Sequence, residues 1–208
     1  MEERKNMEWV RFLIYWFGGT TIGRPYPSRE KSFSVFLWVV LAITACTYAQ
    51  ELLHEVGHLV FGHLSGYRFR AFRLGSILWI RTDKGVERKR MRFAGTSEHL
   101  LMSPPEGDEK KISCCWYLMG GVLMSLLSVL VALALYYAFR SREVLAWFLR
   151  MWMIIGAATV LINGIPLRLM EGDNDGRRAW AVRASKDAKR AFLAQIRVND
   201  FLSDGGRM

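Results

Sequence analysis

In the run Leu52-Leu53-His54-Glu55-Val56-Gly57-His58-Leu59-Val60-Phe61, two histidines flank a glutamate at a spacing suited to metal chemistry. Residues four apart on a helix share a face, so His54 and His58 point the same way. Two neutral imidazoles so placed form two sides of a tetrahedral Zn2+ site. The glutamate between them can act as general base on a metal-bound water. The motif lies in the second half of an apolar run from Phe33 to Gly66. Charged and imidazole side chains in such a run are costly unless paired, metal-bound or facing a wet cavity. A lone histidine on an apolar face usually just satisfies a core hydrogen bond, whereas a pair bracketing a glutamate reads as a metal site. Glu51, one turn before His54, can orient a ligand by a hydrogen bond or simply face the same cavity. His63, near the helix exit, and His99, in a loop-like stretch, lack such partners and read as surface or interface residues. Two imidazoles alone leave an open, weak site, so an anionic ligand is expected from elsewhere in the chain. The acidic residues after the last apolar run, Glu171, Asp173 and Asp175, are the candidates.

The elements that must position these residues are mostly apolar. Of 208 residues, 51% are hydrophobic, with eight Trp and ten Met, which suits an α-helical membrane protein of one domain. Three spans are expected, at about 33–66, 114–138 and 145–167. At 1.5 Å per residue the first would be roughly 50 Å long, more than the ~30 Å hydrocarbon core, so it must tilt or protrude. Gly120-Gly121 and Ser125 in the second span permit close helix contact. Arg150 reads as snorkelling from the start of the third, which closes on Asn163-Gly164-Ile165-Pro166. That ending frees backbone groups, as is tolerated where a helix lines a cavity. Three cysteines make no disulfide framework; Cys46 and the adjacent Cys114-Cys115 read as small apolar residues of the spans.

Between and around the spans the chain changes character. Residues 1–32 hold the aromatic run Trp9 to Phe17, too short to span and suited to an interfacial segment. From Tyr67 to about residue 95 apolar residues and arginines alternate, predicting two or three short strands at the membrane surface. Residues 171–208 begin with an acidic, glycine-containing loop. A C-terminal amphipathic helix to about Ser203 should follow, with Trp180, Ala184, Ala188, Phe192 and Ile196 on one face and Gly205-Gly206 as its stop.

The net charge of +10 is distributed as membrane topology requires. Residues 67–111 hold eleven Lys+Arg and the tail after Pro166 holds nine, against two in the hairpin at Arg140 and Arg142. Strands and tail are therefore expected in the cytoplasm and the hairpin outside, although residues 1–32, placed outside by three spans, carry six basic residues. The lipid bilayer is the expected partner of this charge. No basic patch interleaved with aromatics argues for nucleic acid.

Taken together, His54-Glu55-Val56-Gly57-His58, Asn163-x-x-Pro166 and the later Asp175-Gly176 resemble the site-2 protease family of intramembrane zinc metalloproteases, in its compact bacterial form without a PDZ domain. The resemblance covers roughly residues 33–178. It implies a three-span metalloprotease core with a membrane-associated strand segment after the first span. It also implies that His54, His58 and Asp175 ligate Zn2+, that Glu55 is the general base, and that Asn163 contacts substrate or the developing oxyanion. The gap from Pro166 to Asp175 is longer than usual in that family, which keeps Asp173 in competition. The implied substrate is a transmembrane segment or small membrane-bound peptide, cleaved at the cytoplasmic side of the cell membrane. Two other readings stand beside it. A protease of the prenyl-protein-processing or heat-shock type would use Glu171 within Glu-x-x-x-Asp. A non-catalytic membrane adaptor would carry the motif as a relic.

Overall fold

The computed structural model describes residues 29–74, 76–82, 85–90, 100–169 and 172–203, and is 68% helical with a small antiparallel sheet. Among the described residues three helices are long and apolar enough to cross a membrane, as expected of a multi-pass membrane protein. The first, α1 (Arg29–Leu64), carries the candidate span Phe36–Leu64. It ends because Gly66 takes φ 86°, closing a Schellman turn in which Gly66 N donates to His63 O (3.0 Å) and Tyr67 N to Gly62 O (2.9 Å). The second and third, α2 (Cys114–Phe139) and α3 (Glu143–Gly164), are joined by a hairpin. The third span was expected to reach 167, but its helix stops at Gly164. Pro166 has no N–H to continue the ladder, and the residue before a proline is driven out of the helical region.

Among the described residues the strand region holds the three strands expected before residue 95 and a fourth beyond it. These are β1 (Arg68–Leu74), β2 (Ile77–Thr82), β3 (Gly85–Arg90) and β4 (Leu100–Ser103), in the antiparallel order β3-β2-β1-β4. The fourth lies beyond residue 95, where Leu100-Leu101-Met102 is too short a run to show a period. It is held by pairing to β1, through Phe72↔Leu100 to Arg68↔Ser103. A bulge between Phe69 and Ala71 turns Arg70 toward Ser103, whose hydroxyl accepts from Arg70 Nε at 2.9 Å. A two-residue ladder, β5 (Arg168–Leu169) with β6 (Gly172–Asp173), follows α3, and Gly172 at φ 131° permits its reversal.

The C-terminal region is two helices, not one. Helix α4 (Asp175–Ala184) ends at Ser185, whose backbone is extended (φ −136°, ψ 130°) and whose hydroxyl accepts from Ala188 N at the start of α5 (Lys186–Ser203). The break corrects the expected apolar face. In α4 the expected Trp180 and Ala184 are exposed and Ala179 and Val182 are buried instead, while in α5 the expected Ile196 is buried beside Leu193 and Phe192 packs against the core. A face drawn as one unbroken i, i+4 series cannot survive the change of direction at Ser185. The expected interfacial segment at 9–17, His99 and the Gly205-Gly206 stop lie outside the described residues.

The chain divides into two compact units. In the first, made of residues up to Glu51 with Leu126–Ala158, the fully buried Gln50 donates to Ser128 Oγ (3.2 Å) and Trp152 O (3.4 Å), a polar join among apolar helices. The second, Leu52–Ser125 with Thr159–Met208, has its own core. Tyr67, Met102, Leu118, Val182 and Leu193 are among its buried members, so sheet, tail helices and the start of α2 pack together. Every residue of the site below belongs to this second unit.

Candidate metal centre

Helix α1 presents His54 and His58 on one buried face, as the four-residue spacing requires. Their Nε2 atoms lie 3.1 Å apart. Asp175 Oδ2 closes the triangle, 2.9 Å from His54 Nε2 and 3.2 Å from His58 Nε2. A tetrahedral ion with ~2.0–2.1 Å bonds places its ligand atoms about 3.4 Å apart, close to this spacing. Each ring is anchored through its other nitrogen. His58 Nδ1 donates to Tyr117 O (2.8 Å), which leaves Nε2 as the lone-pair atom of the neutral ring, and His54 Nδ1 meets Ser125 Oγ at 3.3 Å. Two nitrogens and a carboxylate oxygen so directed repel one another unless a cation lies among them. The arrangement can hold a metal ion.

Two glycines on α2 make room for this. A Cβ at Gly120 would come within 2.6 Å of Gly57 O, so the two helices meet backbone to backbone there. A Cβ at Gly121 would stand 2.5 Å from His54 Nε2 and 2.6 Å from His58 Nε2, where the ion's coordination sphere would be. The sequence marked Gly120-Gly121 for helix contact but not as a wall of the site.

Asp175 arrives by a different device. Asn174, buried, caps α4 by accepting from Arg177 N (3.0 Å) and also from Leu167 N (3.0 Å). Its amide donates to Ile162 O (2.5 Å) and Ile165 O (2.6 Å), carbonyls left over where α3 stops before Pro166. One side chain thus ties the end of α3 to the start of α4 and places Asp175 in the first turn of that helix, where a carboxylate suits the dipole. Gly176 follows because a Cβ there would collide with Gly164 O. The pairing of Asp with Gly therefore has a packing cause. Asn174 went unnoticed in the sequence because a lone asparagine in an acidic loop carries no signal.

When the Nε2 atoms carry protons in place of a metal, burial pushes the Asp175 carboxyl up, but hydrogen bonds from His54 and His58 outweigh it and hold it well below the usual carboxylate range. Asp173, the competitor, lies elsewhere: it pairs with Arg177 Nε at 3.0 Å, both partly exposed. Glu171 lies outside the described residues. Glu55 is half-buried, one residue along α1 from His54. The Asn163 side chain is bound to its own helix, donating to Thr159 O at 3.1 Å. Glu51 and His63 are exposed, and the ring-orienting positions at both Nδ1 atoms are filled by Ser125 and Tyr117.

No protein-family model, curated protein or solved structure matches the chain.

Proposed function

We propose that this protein is a zinc-dependent intramembrane endopeptidase of the site-2 protease kind: a three-span metalloprotease core with a membrane-associated sheet and amphipathic tail helices. The convergence of His54, His58 and Asp175 beside Glu55 on an apolar helix long enough to span a membrane carries this reading. The donor set of two imidazoles and one carboxylate suits zinc and leaves a fourth position open, as catalytic zinc sites do. The third donor favours the site-2 reading over the prenyl-processing type, since among the described residues it is Asp175 that meets both histidines.

Bound zinc would acidify water and polarise a peptide carbonyl. The chain's residues do the rest. Glu55 takes the proton of the attacking water and delivers it to the leaving amine. The Tyr117 carbonyl holds His58 in the ligating tautomer, and Ser125 orients the His54 ring. Asn163, on exchanging its bond to Thr159 for one to substrate, steadies the substrate backbone or its developing oxyanion. Helical peptide bonds shield their carbonyls, so the substrate must unwind locally before attack. The exposed strand β3, whose outer edge pairs with no strand among the described residues, offers such a segment backbone partners. The substrate is accordingly a transmembrane segment or small membrane-bound peptide. Lys/Arg bias sets the site toward the cytoplasmic face of the cell membrane.

The test compares membrane peptides in cells making wild-type or Glu55→Gln protein. A precursor that accumulates uncut only in the variant is the expected result. Identical peptide profiles, with purified zinc-loaded wild type cutting none of the candidates, would leave the adaptor reading in its place.

A further inference from the structure

Away from the metal centre, a cleft of about 690 Å³ opens between the bulged end of β1, the loop after β4 and helix α5. Four guanidinium groups line it, from Arg68, Arg70, Arg81 and Arg197, against two carboxylates, from Glu106 and Asp200. Like charges on neighbouring strands repel and must be compensated. Two of the four are. Arg70 is ion-paired with Asp200, which also accepts from Ser103 Oγ at 2.6 Å, and Arg197 Nη1 reaches Glu109 at 2.6 Å. The other two are not. Among the described residues Arg68 meets only the almost fully exposed Glu106, at 4.0 Å, and Arg81 has no acidic partner. The paired arginines stiffen the walls and the loose ones face a space of ligand size.

The cleft's place in the fold identifies its class of ligand. Candidate span Phe36–Leu64 ends four residues before Arg68. Strand β4 and the loop that walls the cleft sit on that exit: a Cβ at Gly66 would be 3.6 Å from Pro105 Cβ in the loop, and one at Gly62 would be 2.6 Å from Met102 Sδ in β4. The guanidinium groups of Arg68 and Arg70 therefore follow the end of that candidate span, the side on which a chain emerging from a bilayer meets lipid phosphates. Arginine's planar fork matches phosphate oxygens in pairs.

We propose that this cleft binds a phosphate-bearing anion through Arg68 and Arg81, with an anionic lipid headgroup as the favoured source and a soluble organic phosphate as the other. The site is independent of the metal centre and of the protease reading.

The full chain, purified in a neutral detergent, is titrated with short-chain phosphatidylglycerol, short-chain phosphatidylcholine, glycerol 3-phosphate and ATP, with bound ligand counted by native mass spectrometry. The same titrations are run on the Arg68→Gln/Arg81→Gln variant. Both positions are exposed, so the variant should fold, and an unchanged circular dichroism spectrum checks this. The expected result is one saturable anionic site per chain, weakened by salt. It should weaken about tenfold or more for each guanidinium removed, as expected for charge-assisted hydrogen bonds. Tighter binding of phosphatidylglycerol than of the soluble phosphates names the lipid as ligand, and the reverse order names a soluble phosphate. Either order upholds the site if the variant loses it. Absence of saturable anion binding, or binding that the double substitution leaves unchanged, overturns it. The readout needs no peptidase activity, so failure here is distinct from failure of the proposed function.

Discussion

At the scale of the residue, the proposed function assigns separate roles to ligands and base. Glu55 is expected to serve as base without ligating, so Glu55→Gln should keep its metal and lose turnover; zinc analysis beside a cleavage assay decides this. Asp175→Ala removes a converging carboxylate and should weaken zinc binding by at least the ~10–100-fold typical of losing an outer partner. Asp173→Ala only frees Arg177 from an exposed pair and should leave zinc affinity unchanged, as competition with a chelator would reveal. Glu171→Ala belongs in the same series, because loss of zinc there, with Asp175→Ala retaining it, would favour the prenyl-processing type. Acidification should release the metal, since ligands bind only when deprotonated.

At the scale of the element, two contacts hold the site together. The first is the meeting of α1 and α2 at Gly57, Gly120 and Gly121. Gly121→Ala puts a methyl group against both Nε2 atoms and should cost metal affinity about tenfold or more, at least as much as losing an outer partner. The second is the Asn174 join. Asn174→Ala strands the Ile162 and Ile165 carbonyls and uncaps α4, and should destabilise the second unit by roughly 2–4 kcal/mol. Denaturant unfolding of the detergent-solubilised protein measures this loss. Zinc affinity should fall with it, because Asp175 is held by the same turn. Asn174→Asp keeps the cap on α4 but replaces the amide nitrogen and its two N–H donors by one oxygen that repels both carbonyls, and should rescue little.

At the scale of the whole molecule, the basic bias predicts which face each loop meets. Residues 67–111 and the tail are expected in the cytoplasm and the Arg140–Arg142 hairpin outside. In a background with Cys46, Cys114 and Cys115 replaced, an impermeant thiol reagent added outside should label Ser141→Cys and leave Val86→Cys untouched. Both positions are exposed, so accessibility alone does not decide the result. The opposite labelling would invert the topology and move the site to the outer face.

Features that depend on local spacing and on hydrophobic length were legible in the residues alone. Three helices long enough to span were legible because each is an apolar run as long as a bilayer needs, and His54 and His58 because helical geometry alone puts i and i+4 on one face. Asp175 was legible only through its resemblance to a family's Asp-Gly, with Glu171 and Asp173 beside it. Only the tertiary structure chose between the two described aspartates, because the choice rests on how the chain turns after Pro166, and that turn is held by Asn174 across nine to twelve residues. Strand β4 and the break at Ser185 escaped for the same reason. One exists by pairing with a distant strand, the other by the packing of Leu193 and Ile196 into a core that includes Tyr67 and Leu118, and neither leaves a periodic trace in its own segment. The glycine wall at Gly121 and the arginine cleft likewise belong to no stretch of sequence, being made where helices and strands remote in the chain come together.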